Sequence, residues 1–215
     1  MEYFGDCANC PYGDRPHDEI SELVVKGVEG LVDAGCSIVI LACNTAVAHA
    51  VQYLQNERFP DGSGIKVLGV TLPGAEKVAE LRFRNVGVLA TLATVNNRAY
   101  RDRVNVLDPD ILITEVAVPG LVNLIEAYER DTAGILALLE NAISQFEPNT
   151  EALVLGCTHY PIVRNEITDL WKKIHGTEIV IVDPGMEAAR KFGDYLRRHP
   201  EYELSARGNE NVRFS

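Results

Sequence analysis

No apolar run in this 215-residue chain approaches the roughly 18 residues that a membrane-spanning helix needs. Positive charge is scarce: 20 lysines and arginines stand against 31 aspartates and glutamates, for a net charge of −11. That balance argues against a nucleic-acid or anionic-membrane surface, because both require clustered cations. There is no glycine-rich phosphate loop of the P-loop or dinucleotide type, so no nucleotide cofactor is expected. Cys7 and Cys10 form a C-x-x-C in a polar loop, but no second C-x-x-C or histidine pair follows at ligand spacing. The pair is therefore read as a loop coincidence, and no metal is expected. Met1 leads directly into a charged, strand-like start, so no signal peptide is expected. Five cysteines in a chain of this length fit a reduced cytoplasm better than a disulfide frame.

What is present is an alternation of short apolar strands with amphipathic helices. Ile20, Leu23, Val24, Val28, Leu31 and Val32 recur near a period of 3.6 and predict a helix over Asp18 to Ala34, ended by Gly35. Ser37 to Leu41 is continuously apolar, as expected of a strand covered on both faces. Further strands are predicted at Val67–Val70, Asn85–Leu89, Ile111–Val116, Ala152–Leu155 and Ile179–Val182. Helices are predicted at Thr45–Gln55, Pro73–Leu81, Arg98–Asn105, Leu121–Arg130, Thr132–Phe146, Val163–Ile174 and Gly185–Arg198. Thr91 to Asn97 sits where a further ligand-facing loop would lie, and Tyr202 to Arg207 alternates weakly and reads as an edge strand. The pattern predicts an α/β protein with doubly wound parallel sheets.

Two stretches share one design. Ile38-Val39-Ile40-Leu41-Ala42-Cys43-Asn44-Thr45 and Ala152 through Val154-Leu155-Gly156-Cys157-Thr158-His159-Tyr160-Pro161 each run from an apolar strand through a small residue into a cysteine and then a helix. Each cysteine is thus expected at the C-terminal end of a strand and the N-terminus of a helix. Ligands bind there in open α/β sheets, and the helix dipole favours anions, a thiolate included. Two such cysteines suggest a pair facing one pocket, each with its pKa modestly depressed toward the working range.

These two stretches resemble the paired cysteine signatures of glutamate racemases, in the aspartate/glutamate racemase superfamily. Tyr3-Phe4-Gly5-Asp6 with Pro11-Tyr12-Gly13, Gly69-Val70 with Pro73-Gly74-Ala75, and Pro119-Gly120-Leu121 with Leu124-Ile125-Glu126 extend the likeness in order along nearly the whole chain. The resemblance implies two similar doubly wound, flavodoxin-like domains with the active site in the cleft between them. The first takes residues 1–82 plus 184–215, and the second takes 83–183. It implies a cofactor-independent interconversion of L- and D-glutamate, supplying D-glutamate for peptidoglycan synthesis. Cys43 would handle the D-enantiomer and Cys157, assisted by His159, the L-enantiomer. Asn44, Thr45 and Thr158 would hold the substrate, Tyr12 and Gly13 would close the pocket, and Glu126 would influence protonation. The family's usual first strand, carrying Asp-Ser-Gly, and the helix after it have no counterpart here, so the first domain is expected to be incomplete at its N-terminus and its sheet to show an edge or gap. An exposed sheet edge would favour self-association as a homodimer.

Plainer assignments compete at several positions. Asn44, Thr45 and Thr158 are ordinary helix-capping residues. His159 could be a structural histidine, Glu126 a solvated helix residue, Cys36 a small core residue, and His49 a packing residue. At the level of function, a racemase of aspartate or a related amino acid is one alternative. A truncated, inactive paralogue serving as a binding module is another.

Overall fold

The computed structural model of the chain describes residues 1–127, 129 and 131–199 and the backbone of 211–214. It is an α/β protein whose three sheets are all parallel. β1 (Glu2–Gly5) leads through a short 3-10 turn into α1 (His17–Asp33). Ile20, Val24 and Val28, four residues apart, face the core. Gly35 ends this helix with φ +93°, and the amides of Gly35 and Cys36 bond back to Val32 and Leu31. Those two bonds satisfy carbonyls that the helix leaves open, and glycine is the residue that adopts such a φ without strain.

β2 (Ile38–Leu41) pairs with β3 (Lys66–Gly69), and between them lies α2 (Asn44–Tyr53), prolonged by a π-helical turn through Arg58. The second sheet runs β5-β4-β6-β7, from β4 (Asn85–Ala90), β5 (Leu112–Ala117), β6 (Ala152–Gly156) and β7 (Val180–Val182). The helices around it are α3 (Thr71–Leu81), α4 (Leu92–Asn96), α5 (Ala99–Leu107), α6 (Leu121–Glu126), α7 (Thr132–Ile143), α8 (Arg164–His175) and α9 (Pro184–Arg198). β8 (Asn211–Phe214) pairs with β1, so the β1–β8 and β2–β3 ladders are separate.

β6 is buried along its whole length and β4 from Val86 onward, because α3 and α5 pack one face of the sheet and α7 and α8 the other. Gly87 is required there: a Cβ would stand 2.8 Å from the Phe146 ring and 2.9 Å from Leu153. The fully buried Trp171 packs against Phe146 with ring centroids 5.8 Å apart. A separate cluster built on Val24, Val39, Val47 and Leu54 fills the space between α1, α2 and the β2–β3 ladder.

Several expectations are corrected. β2 is not covered on both faces: Ile40 is 40% exposed and lines an open cavity of about 450 Å³ with Leu68 and Tyr195. Residues 92–96 form a helix rather than a loop, because Thr91 caps it by accepting a bond from the Thr94 amide. The helix predicted to reach Arg130 ends at Glu126. Tyr128, Arg130 and the edge strand predicted at Tyr202 to Arg207 lie outside the described residues. Among those described, no helix is long and apolar enough to cross a membrane.

Trp171→Ala should cost about 3–5 kcal/mol in urea unfolding, by loss of apolar contact and the cavity left behind. Trp171→Phe keeps most of the ring contact and removes an indole N–H that has no hydrogen-bond partner among the described residues. It should cost less than half as much, since an unpaired buried donor carries a penalty of its own of about 1–3 kcal/mol.

Candidate active site

Cys43 sits at the N-cap of α2, directly after β2, and Cys157 follows β6. The sequence therefore delivers both thiols to equivalent places, the C-terminal ends of parallel strands where the first turn of a helix exposes free amides. The amides of Ala46 and Thr45 and the Thr45 hydroxyl face the Cys43 sulfur and favour its thiolate, and the amides of His159 and Tyr160 do the same for Cys157.

Burial outweighs those donors. Cys157 is 6% exposed, and desolvation is the largest influence on it, pushing its pKa up to about 12. The thiols of Cys43 and Cys10 stand close enough to raise it further. Cys43 is also raised, again by burial first. The expected depression by a helix N-terminus is thus corrected: the amides lower both values, but removal of water raises them more.

Around Cys157 the predicted helpers assemble in part. His159 Nδ1 lies 3.9 Å from Cys157 Sγ, and its Nε2 lies 2.5 Å from Glu126 Oε1. A carboxylate only accepts, so in the neutral imidazole the proton sits on Nε2 and the Nδ1 lone pair faces the thiol. The structure thereby places Glu126 on the histidine, although its side chain is 58% exposed. Thr158 is exposed, and no hydrogen bond joins it to the other site residues.

Around Cys43, Asn44 and Thr45 are 2% and 3% exposed. Neither side chain caps α2, whose N-cap is Cys43 with no side-chain cap bond. The Asn44 Oδ1 accepts a 2.6 Å bond from the Tyr100 hydroxyl. The Thr45 hydroxyl lies 2.9 Å from that of Thr91 and 3.2 Å from that of Thr94, and these last two are 3.0 Å apart. Three buried hydroxyls thus form a closed ring. Tyr12 and Gly13 come up against it: a Cβ on Gly13 would stand 2.7 Å from the Thr91 side chain. The Tyr12 hydroxyl donates a 2.6 Å bond to Asp6, which also accepts from Asn9 at 2.8 Å. That carboxylate and burial hold the Tyr12 phenol strongly protonated.

Thr91, Thr94 and Tyr100 were not singled out from the sequence. The signal available was positional, since residues 91–97 follow β4 where a ligand-facing loop was expected, but α4 folds there instead. Cys10 reads in the sequence as part of a loop coincidence, yet its thiol lies within electrostatic reach of Glu126 and Cys43. His49 meets His17 with Nδ1 atoms 2.5 Å apart. Among the described residues, no group of three or more His, Cys, Asp or Glu could hold a metal ion.

The profile of the Asp/Glu/Hydantoin racemase family matches residues 7–191. A glutamate racemase of Lactobacillus helveticus is 36% identical over 197 residues, covering 91% of this chain and 70% of the relative. One of Staphylococcus haemolyticus is 32% identical, covering 96% and 79%. The crystal structure of the glutamate racemase of Francisella tularensis in complex with D-glutamate superposes with a TM-score of 0.85 at 28% identity, covering 99% of this chain and 76% of that one.

The raised thiol pKa values predict slow alkylation. In the ligand-free protein, iodoacetamide should label Cys157 at pH 7.5 about a hundredfold or more slowly than an unstructured cysteine peptide, since the thiolate is the nucleophile. The rate should still be climbing at pH 10, where the peptide's has levelled off. Mass spectrometry of the Cys157 peptide reads both, and a profile that breaks near pH 8.5 would contradict the burial argument.

Proposed function

The chain belongs to the Asp/Glu/Hydantoin racemase family, and from that premise we propose that it interconverts L- and D-glutamate by a two-cysteine mechanism and supplies D-glutamate for peptidoglycan synthesis. The observation that carries the proposal is the pair of thiols, Cys157 buried and Cys43 half-buried, each held at a strand–helix junction and each within electrostatic reach of the other. Substrate would lie between the unit of residues 1–82 with 184–215 and the unit of residues 83–183.

Racemisation requires a proton to leave Cα on one face and another to arrive on the opposite face. With L-glutamate, the Cys157 thiolate takes the Cα proton, leaving an electron pair on Cα conjugated with the carboxylate. The Cys43 thiol donates its proton to the other face, giving D-glutamate with Cys157 as thiol and Cys43 as thiolate. The reverse reaction exchanges the roles. A thiolate in a desolvated site is a stronger base than one in water, which suits a weakly acidic carbon. His159, oriented by Glu126, is placed to receive the Cys157 proton and so generate that thiolate. The Asn44 amide, and a hydroxyl of the Thr45–Thr91–Thr94 ring turned away from its neighbour, would donate hydrogen bonds to the substrate carboxylates.

Circular dichroism of the purified chain with each enantiomer of glutamate and aspartate tests the reading. Glutamate turnover exceeding aspartate turnover is expected, and the reverse preference would overturn the substrate assignment. Cys43→Ala and Cys157→Ala should each abolish racemisation in both directions, because each sulfur is base in one and acid in the other. A single variant with full turnover would exclude the mechanism.

His159→Asn gives a finer check. Enantiomers have equal free energy, so kcat/KM must fall equally in the two directions. The asymmetry should appear in the Cα-deuterium isotope effect, which rises for L-glutamate and not for D-glutamate if the histidine serves Cys157. The overall loss should be on the order of 10²-fold, at the lower end of what general acid–base assistance supplies.

A further inference from the structure

We infer that Tyr100 is a positioning residue, whose phenol fixes the side-chain amide of Asn44 as a hydrogen-bond donor for a substrate carboxylate. The inference rests on the reading of the cleft as an amino-acid racemase site, and adds the element that makes this part of it select an anion.

Tyr100 lies in the first turn of α5, and Asn44 in the first turn of α2 next to Cys43. Both are buried, Tyr100 at 0% and Asn44 at 2% exposure. The ring is held between two glycines: a Cβ on Gly74 would stand 3.3 Å from Cε1, and one on Gly156 3.2 Å from Cε2. That packing leaves the hydroxyl one direction, and it donates 2.6 Å to Asn44 Oδ1.

A carboxamide has one acceptor oxygen and two N–H donors. The phenol takes one of the oxygen's two lone pairs, and turning the amide over would leave that buried O–H without this acceptor, so the NH2 is held pointing away from Tyr100; among the described residues no hydrogen bond from Nδ2 is formed. A carboxylate finds an N–H donor at this point that no other described group uses. Without the phenol the amide can turn by 180° and present its oxygen at similar energy. Burial keeps the phenol protonated well above its ordinary range, so the donor persists at any working pH.

Tyr100→Phe retains the ring between the glycines and deletes the hydroxyl. It should raise the glutamate KM and the Kd of D-glutamate by about tenfold, the scale of one hydrogen bond to a charged ligand, while kcat changes by less than about threefold. In an Asn44→Ala background the same change should alter Kd by less than about twofold, because Tyr100 acts through Asn44. Asn44→Asp keeps an acceptor for the phenol and removes the donors, so affinity should fall at least as far as in Asn44→Ala; retained affinity overturns the inference even should Tyr100→Phe fail to fold. Calorimetry with D-glutamate, aspartate and glutarate separates the outcomes. Unchanged affinity in Tyr100→Phe, or equal weakening in both backgrounds, overturns the role of Tyr100 and leaves the racemase reading standing. A wild-type protein that ignores glutamate but binds another of these carboxylates, more weakly after Tyr100→Phe, overturns the glutamate assignment and supports the inference. A wild-type protein that binds none overturns both.

Discussion

The site depends on the cost of taking a thiolate out of water. Burial raises both cysteines, and the free amides at the starts of the following turns lower them again without cancelling the effect. At neutral pH and without ligand, Cys157 is therefore a thiol. This is the useful compromise for removing a proton from carbon. A thiolate stabilised fully by helix amides would be abundant and a weak base, whereas one without amides would be strong and never formed. The strand–helix junction supplies a few N–H donors in an otherwise dry place, and so sets the balance.

Proximity of the two sulfurs adds a second constraint. Each charged thiolate disfavours ionisation of the other, and Cys43 is among the groups that raise Cys157. One thiolate with one thiol is then favoured over two thiolates, which is the pairing a two-base exchange needs at the start of either direction. The polar side chains packed beside Cys43 are neutral. The Thr45–Thr91–Thr94 hydroxyl ring and the Asn44 amide offer hydrogen bonds without a buried cation, which would hold both thiolates ionised. A net charge of −11 is thus no bar to a site that receives an anion through local dipoles.

The placement of the cysteines was legible in the sequence because it depends on local grammar: an apolar run, a small residue, a cysteine, a helix. The parallel α/β class followed from alternation alone. What escaped depends on distance in the chain. Thr91 and Thr94 read as loop residues, and only the approach of α2 to α4 makes a ring of them with Thr45. Tyr100 looked like one aromatic of an ordinary helix, and its partner lies 56 residues away. The rise in thiol pKa is hidden from the sequence for the same reason. The helix amides that lower it are visible in sequence, but the packing that raises it is assembled from several elements. Ile40 fits a fully covered strand by hydropathy, yet coverage of a sheet face is decided by which helices arrive there.

The two sulfurs rest on unequal supports. Cys157 ends a strand flanked on both sides by ladder partners and buried from Ala152 to Gly156. Cys43 ends a strand in a two-stranded ladder with one face partly open at Ile40. Backbone with fewer ladder bonds and fewer apolar contacts opens at lower free energy. Besides the packing of α3 on α5, the Cys43 side is joined to the rest by three side-chain contacts: the Tyr100–Asn44 bond, the hydroxyl ring, and the seating of Gly13 on Thr91. Each runs from an element before residue 82 to one after it. The contacts that gather polar side chains beside Cys43 thus also join the chain before residue 82 to the chain after it, and a change in any of them alters both.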